Sequence, residues 1–164
     1  MTQERIFKTP IGNVKACATT DGLRALHFTE SPERNEQDSK RSSHLLNSVE
    51  AQVQKYFCGT LKVFNIPLDV NGTKFQKDVW QTLKEVPYGS TITYKQQSEF
   101  LNNPLAIRAM AAANAKNPLL IIIPCHRIIG SNGRLTGYAG GLERKRKLLM
   151  LEQEHSGKAG LFNA

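Results

Sequence analysis

Residues Tyr94–Ala115, YKQQSEFLNNPLAIRAMAAANA, hold two short helix-forming runs, Tyr94–Leu101 and Pro104–Ala115, parted by Asn102 and Asn103. Asparagine tolerates turn conformations and its amide competes with helical hydrogen bonds, so the pair predicts a break. Two helices joined by so short a turn predict a helix-turn-helix, the second helix being the one that meets DNA. At about 100° per residue, Ile107, Met110 and Asn114 share one face of that helix, and Arg108, Ala111, Ala112 and Ala115 nearly the opposite one. The outer face is smooth, with one cation. It lets backbone approach DNA closely but supplies few of the Arg, Asn or Gln side chains that read base edges, which points to sequence-neutral binding.

The flanking segments supply the support. Upstream, Phe75, Val79, Leu83 and Val86 form a helical stripe with Trp80 beside it, ended by Pro87-Tyr88-Gly89. This stripe reads as core. Downstream, Leu119–Gly130, LLIIIPCHRIIG, predicts a buried strand over Leu119–Ile123 that Pro124 ends, because proline cannot donate to a ladder. A glycine-rich loop with the character of a tight wing follows, SNGRLTGYAGG, and then a final helix, LERKRKLLMLEQEH. In that helix Leu148, Leu151 and Glu152 can share a side. A carboxylate at the edge of an apolar face needs a partner, while Arg144–Lys147 reads as a solvated basic face.

Toward the N-terminus, Arg5–Phe28 alternates between short apolar runs and turns, predicting a meander of three antiparallel strands. Ser31–Ser43 is almost wholly polar and reads as a surface loop. Leu45, Val49, Val53 and Phe57 then predict a helix that Gly59 stops, and FNIPLDV is a last strand or extended segment. The chain is thus expected to be α+β. A small antiparallel-sheet lobe covers 1–71, and a helical lobe over 72–164 carries a winged helix-turn-helix-like element.

Composition bounds the function. Lys and Arg outnumber Asp and Glu by 22 to 14, a formal charge of +8, which suits a polyanionic partner. Three cysteines at wide spacing, Cys17, Cys58 and Cys125, suggest neither a disulfide framework nor a metal knuckle and fit a reducing cytosol. The first residues lack the apolar run of a signal peptide, and no window reaches the ~20 apolar residues of a membrane span.

Cys17 and Cys58 read as small core residues. Cys125 differs, since a turn at Pro124 lets it meet His126. An imidazole, directly or through a water, can draw off the thiol proton. With Glu152 orienting His126, the set becomes nucleophile, base and orienter, which would equally serve a cysteine hydrolase. Metal binding is the weaker option, because one Cys-His pair supplies two ligands.

IPCHR resembles the active-site motif of the 6-O-alkylguanine-DNA alkyltransferases. FQKDVWQTLKEVPYGSTITYKQ, RAMAAANAKNP and GYAGGLERKRKLLMLE resemble that family's segments in the same order, so the resemblance spans about Phe75–Glu152. It implies single-turnover transfer of an alkyl group from the exocyclic oxygen of guanine, or of thymine, to Cys125, without metal or cofactor. His126 would deprotonate Cys125 through a water, oriented by Glu152. Asn117 would bond nearby backbone and shape the pocket, and Tyr94 would donate a hydrogen bond to a ring nitrogen of the departing guanine. Tyr138, Ala139 and Gly140 would form the loop over the lesion. Arg108, with Ala111 and Ala112 against the DNA, would fill the gap left by the flipped nucleotide. Arg127 is expected to hold neighbouring segments together. Where many members carry glycine after the arginine, this chain has Ala111, which is expected to weaken DNA binding. The partner is alkylated double-stranded DNA bound by a monomer, in the cytoplasm or, in a eukaryote, the nucleus. A recognition module without turnover and a thiol hydrolase remain the alternatives.

Overall fold

The computed structural model describes residues 2–34 and 43–157. Most of the predicted polar loop Ser31–Ser43 lies outside the described residues. The chain divides into two compact units, Met1–Asn71 and Gly72–Ala164.

The first unit is built on a three-stranded antiparallel meander of β1 (Gln3–Thr9), β2 (Gly12–Ala18) and β3 (Leu23–Thr29). Its register runs Thr9 opposite Gly12 and Gln3 opposite Ala18. Along β2 the alternation is clean: Val14, Ala16 and Ala18 are buried while the residues between them face outward. Against β1 and β2 packs α1 (His44–Phe57), whose Ser43 side chain caps Leu46 N. Its buried stripe is Leu46, Val49, Val53 and Tyr56, and not the every-fourth series ending at Phe57. A strict four-residue step drifts about 40° per repeat around a 3.6-residue helix, so the face follows steps of three and four. Of FNIPLDV, Leu68 makes one parallel bridge to Leu23, and the rest forms no regular secondary structure. Gly22 permits this approach, since a Cβ there would lie 2.6 Å from the Pro67 carbonyl oxygen. Cys58 is exposed and Cys17 half-buried, so neither fills the core as expected. Cys58 is the residue at which α1 ends.

In the second unit, α2 (Lys74–Lys84) and α3 (Tyr94–Phe100) each begin with a reciprocal capping box, Thr73 with Gln76 and Thr93 with Gln96. The second helix of the pair, α4, starts only at Ile107 and runs to Ala115, so the connection is longer than Asn102-Asn103 alone. Asn102 adopts a left-handed φ of 59°, Ala106 N bonds Asn103 O, and no side chain caps α4, so Pro104–Ala106 remains turn. Met110 and Asn114 are buried, Arg108 and Ala112 exposed; Ile107 is more exposed than its helical position predicts.

Polar contacts fix the three helices. Trp80 Nε1 donates to Ala113 O at 2.8 Å. The buried amides of Gln97 and Asn114 bond each other twice, at 2.9 and 2.7 Å, and Gln97 also donates to Thr82 Oγ1. Each such bond contributes about 1 kcal/mol, but a buried amide left unpaired costs about 1–3, so the pairing specifies the helix register more than it adds stability. A two-stranded parallel ladder, β4 (Ile92–Thr93) with β5 (Ile128–Ile129), joins the start of α3 to the chain leaving Cys125. The last helix, α5 (Leu142–Ser156), packs against the Cys125–Arg127 segment.

Candidate active site

Leu119, Leu120, Ile121 and Ile123 are buried and Ile122 half-buried, as the composition demands, but the run is a compact turn and not a strand. Asn117 is the reason. Its Oδ1 accepts from Leu119 N at 2.9 Å while its Nδ2 donates to Ile123 O at 2.7 Å, pulling the two ends of the run together. Ile122 N and Ile123 N bond back to Leu120 O and Leu119 O, and Ile121 is forced to a φ of 74°. A β-branched residue there is strained by about 1–3 kcal/mol, which the surrounding packing must hold. Pro124 then leads into a 3-10 turn, Cys125–Arg127, which presents thiol, imidazole and guanidinium from one tight arc. Asn117 Nδ2 also donates to Cys125 Sγ at 3.2 Å, so the residue that closes the turn touches the thiol.

Glu152, buried in α5, gathers the charges. Its Oε2 accepts from His126 Nε2 at 2.6 Å and Arg127 Nη2 at 3.1 Å, and its Oε1 from Arg127 Nε at 2.8 Å and Gly89 N at 3.1 Å. Arg127 Nη1 continues to Val86 O at 2.7 Å, so the guanidinium ties the chain just beyond α2 to α5, the holding role expected of it. Burial alone would raise the Glu152 carboxyl, yet His126 and Arg127 hold it well below the usual carboxylate range. An ionised carboxylate only accepts, so the bond assigns the proton to His126 Nε2 and a lone pair to Nδ1. Burial lowers the imidazole below its ordinary value against the pull of Glu152, which keeps it neutral. His126 Nδ1 has no hydrogen-bond partner among the described residues.

Burial pushes the Cys125 thiol up to about 11, opposed by the Asn117 hydrogen bond and by Lys145. At neutral pH forming the thiolate therefore costs about 5 kcal/mol, so the thiol rests protonated.

The predicted residues Cys125, His126, Glu152 and Asn117 come together in this cluster. Tyr138 stands beside them, its ring edge-on to His126 at 6.4 Å between centroids, with its hydroxyl buried. Tyr94, the first residue of α3, accepts from Thr136 Oγ1 at 3.2 Å, which connects it to the same loop. Gly140 O accepts from Arg144, and Ala139 is exposed. Arg108, Ala111 and Ala112 lie on α4, where Ala111 is half-buried; no bond joins them to the cluster among the described residues.

The solvated reading of Arg144–Lys147 fails at Lys145, which is fully buried and donates to Thr136 O at 2.7 Å and Gly137 O at 3.2 Å. The signal was present: Lys145, Leu148, Leu149 and Glu152 follow steps of three, four and seven along one face of α5. Among the described residues, no three His, Cys, Asp or Glu side chains are placed to share a metal ion.

Residues 74–154 match the family described as 6-O-methylguanine DNA methyltransferase, DNA binding domain, and residues 3–70 match its ribonuclease-like domain. A methylated-DNA–protein-cysteine methyltransferase of Methanosarcina acetivorans is 43% identical over 90% of this chain and 96% of its own. One from Mycolicibacterium paratuberculosis is 40% identical over 95% of each. The crystal structure of Mycobacterium tuberculosis OGT in complex with DNA superposes with a TM-score of 0.82 at 38% identity, covering 92% of both chains.

Proposed function

The chain belongs to the 6-O-methylguanine DNA methyltransferase family, and from that premise we propose how its own residues carry out the transfer. The protein repairs alkylated DNA by direct reversal, moving the alkyl group from guanine to one of its own cysteines. Cys125 is the acceptor. The observation that carries this assignment is the buried thiol held by Asn117 beside an imidazole whose Nε2–H is committed to an ionised carboxylate, leaving Nδ1 as base.

His126 Nδ1 takes the Cys125 proton through one bridging water, while Glu152 stabilises the imidazolium that forms. The sulfur lone pair attacks the alkyl carbon, the carbon–oxygen bond breaks, and its electrons pass to the exocyclic oxygen of guanine. Tyr94 donates to the base as this charge develops. The product is a thioether with no leaving group suited to return, so each molecule acts once. The Tyr138–Gly140 loop closes over the flipped base. Nothing in this sequence of steps calls for a cofactor.

Binding along DNA is independent of base sequence and uses phosphates and shape. The +8 charge supplies attraction, and Arg108 on the exposed face of α4 occupies the space of the extruded nucleotide. Ala111 and Ala112 let the helix approach closely, and Ala111 holds it slightly farther off than glycine would. The protein acts as a cytoplasmic monomer away from membranes; no helix among the described residues is long and apolar enough to cross one.

The deciding experiment incubates the protein with duplex DNA containing methylated guanine and measures intact and peptide mass. A single methyl on Cys125, lost in Cys125→Ser, is expected. Bound DNA with an unmodified thiol would instead favour a recognition module and overturn the assignment.

A further inference from the structure

The loop that leads to Tyr138 carries a hydroxyl that the steps above leave without a task. Two elements bring it to Tyr94. In the β4–β5 ladder Thr93 stands opposite Ile129, so the residues that follow, Tyr94 and Gly130, leave the ladder together. Tyr94 opens α3 directly behind the Thr93–Gln96 capping box, which fixes its backbone. From Gly130 the chain turns back on itself, Gly130 N donating to Arg134 O at 2.9 Å, and returns so closely that a Cβ on Gly130 would lie 3.7 Å from Thr136 Cγ2. The Thr136 carbonyl accepts from Lys145 Nζ at 2.7 Å, which holds its backbone in turn. Between these fixed points Thr136 Oγ1 donates to Tyr94 Oη at 3.2 Å, across 42 residues of chain. Thr136 is exposed and Tyr94 half-buried, so water competes for this bond and it adds little to the stability of the fold.

We propose that Thr136 is a positioning residue for alkyl transfer: its hydroxyl, held in place by the loop, fills a lone pair of Tyr94 Oη and leaves the phenolic proton to the departing base. The inference rests on Cys125 being the acceptor and on Tyr94 being the donor to the base. A phenol has one proton to give, and its hydroxyl turns toward whatever accepts it. With Thr136 as the donor on one side, the proton of Tyr94 is directed to the other. The bonds then form a chain from threonine to tyrosine to base, in which each polarises the next, so the phenol donates more strongly as negative charge develops on guanine. Thr136 acts through Tyr94 and has no part in ionising the thiol.

The test uses the full chain as wild type, Thr136→Val, Thr136→Ser, Tyr94→Phe and the combination of Thr136→Val with Tyr94→Phe. Single-turnover transfer from methylated duplex DNA gives each protein a maximal rate and a half-saturating DNA concentration. Alkylation of Cys125 by iodoacetamide, followed by peptide mass across pH, reports the thiol without DNA, with exposed Cys58 as the internal control. Thermal melting is measured in parallel. Thr136→Val keeps the shape and removes the hydroxyl. It is expected to lower the maximal rate about 3- to 10-fold, the contribution of one neutral hydrogen bond, with half-saturation and the iodoacetamide profile within about twofold of wild type. Thr136→Ser is expected to stay within about twofold in all three. Tyr94→Phe is expected to be slowed at least as much as Thr136→Val, and adding Thr136→Val to it to cost nothing further, because the threonine then has no hydroxyl to act on. A folded Thr136→Val at the wild-type maximal rate overturns the proposal, as does Thr136→Val slowing wild type and Tyr94→Phe by the same factor, or Thr136→Ser slowed as much as Thr136→Val. Should Thr136→Val melt early, Thr136→Ala is judged by the same criteria. These outcomes leave transfer to Cys125 standing. A wild type that reacts with iodoacetamide at Cys125 but accepts no methyl from DNA refutes the transfer function itself, and the role of Thr136 falls with it.

Discussion

Glu152→Gln removes one charge from the centre of the site with almost no change in shape. The consequence follows from which oxygen accepts from which donor. If the new amide nitrogen takes the place of Oε1, it faces two donors, Arg127 Nε and Gly89 N. If it takes the place of Oε2, it faces Arg127 Nη2 and His126 Nε2, and the imidazole can relieve its half of the conflict by moving its proton to Nδ1. The second orientation wins, with one donor clash against two, and it converts His126 from a base at Nδ1 into a donor there. Two effects are expected. A buried Arg127 without its counter-charge destabilises the fold by about 3–5 kcal/mol, which lowers the melting temperature by about 6–20 °C. Loss of the general base slows transfer by about 10²–10⁴-fold. Single-turnover transfer with protein in excess over methylated duplex, at a temperature where denaturant melts show the variant fully folded, separates the two. A folded variant that transfers within about threefold of wild type would refute the assigned tautomer and with it the role of Nδ1.

Asn117→Ala removes the two bonds that close the Leu119–Ile123 turn and the donor to the thiol; a loss of about 2–4 kcal/mol in denaturant unfolding is expected from the stranded carbonyl and amide, with the Cys125 alkylation profile moved to higher pH. Arg108→Ala is expected to slow repair of duplex DNA about 10- to 100-fold, because nothing then fills the stack, while iodoacetamide reacts with Cys125 at the wild-type rate; equal loss in both assays would mean that Arg108 acts on the site's structure. The pH dependence of stability has a definite sign. His126 and Glu152 both bind protons less readily folded than unfolded. Stability is therefore full above the unfolded imidazole value, falls as pH drops below about 6.5, and falls further below about 4.5 as unfolded carboxylates protonate. Urea midpoints across this range should decline in two stages, and His126→Gln should shrink the first to the part that His27, also lowered by burial, contributes; a flat response between about pH 6.5 and 5 would exclude a neutral buried imidazole.

Much of the molecule was legible from local chemistry. Alternation with Gly22 at a turn sufficed for the three-stranded meander, and helical repeats located α1, α2 and α5, because one-sided burial writes its period into the chain. The return of Glu152 to His126 was readable because a carboxylate at the edge of an apolar helix face needs a partner. Local pattern misled at Leu119–Ile123. Five aliphatic residues say that the segment is buried, but not whether it is extended or curled.

That distinction belongs to tertiary structure. Asn117 closes the turn by bonding both ends of the run; the family resemblance implies that it bonds nearby backbone, but the local pattern does not say that these bonds curl the aliphatic run. Burial of Lys145 likewise depends on the carbonyls of Thr136 and Gly137, which the fold of the preceding loop sets beneath it. The sequence by itself determined which groups are available and which faces must leave water, since these are properties of residues and their spacing. Only the folded chain decided the hydrogen-bond partners, and through them which nitrogen of His126 is left with a free lone pair and how firmly Cys125 holds its proton. Protonation depends on what lies within a few ångströms, and that neighbourhood is assembled from segments far apart in the chain.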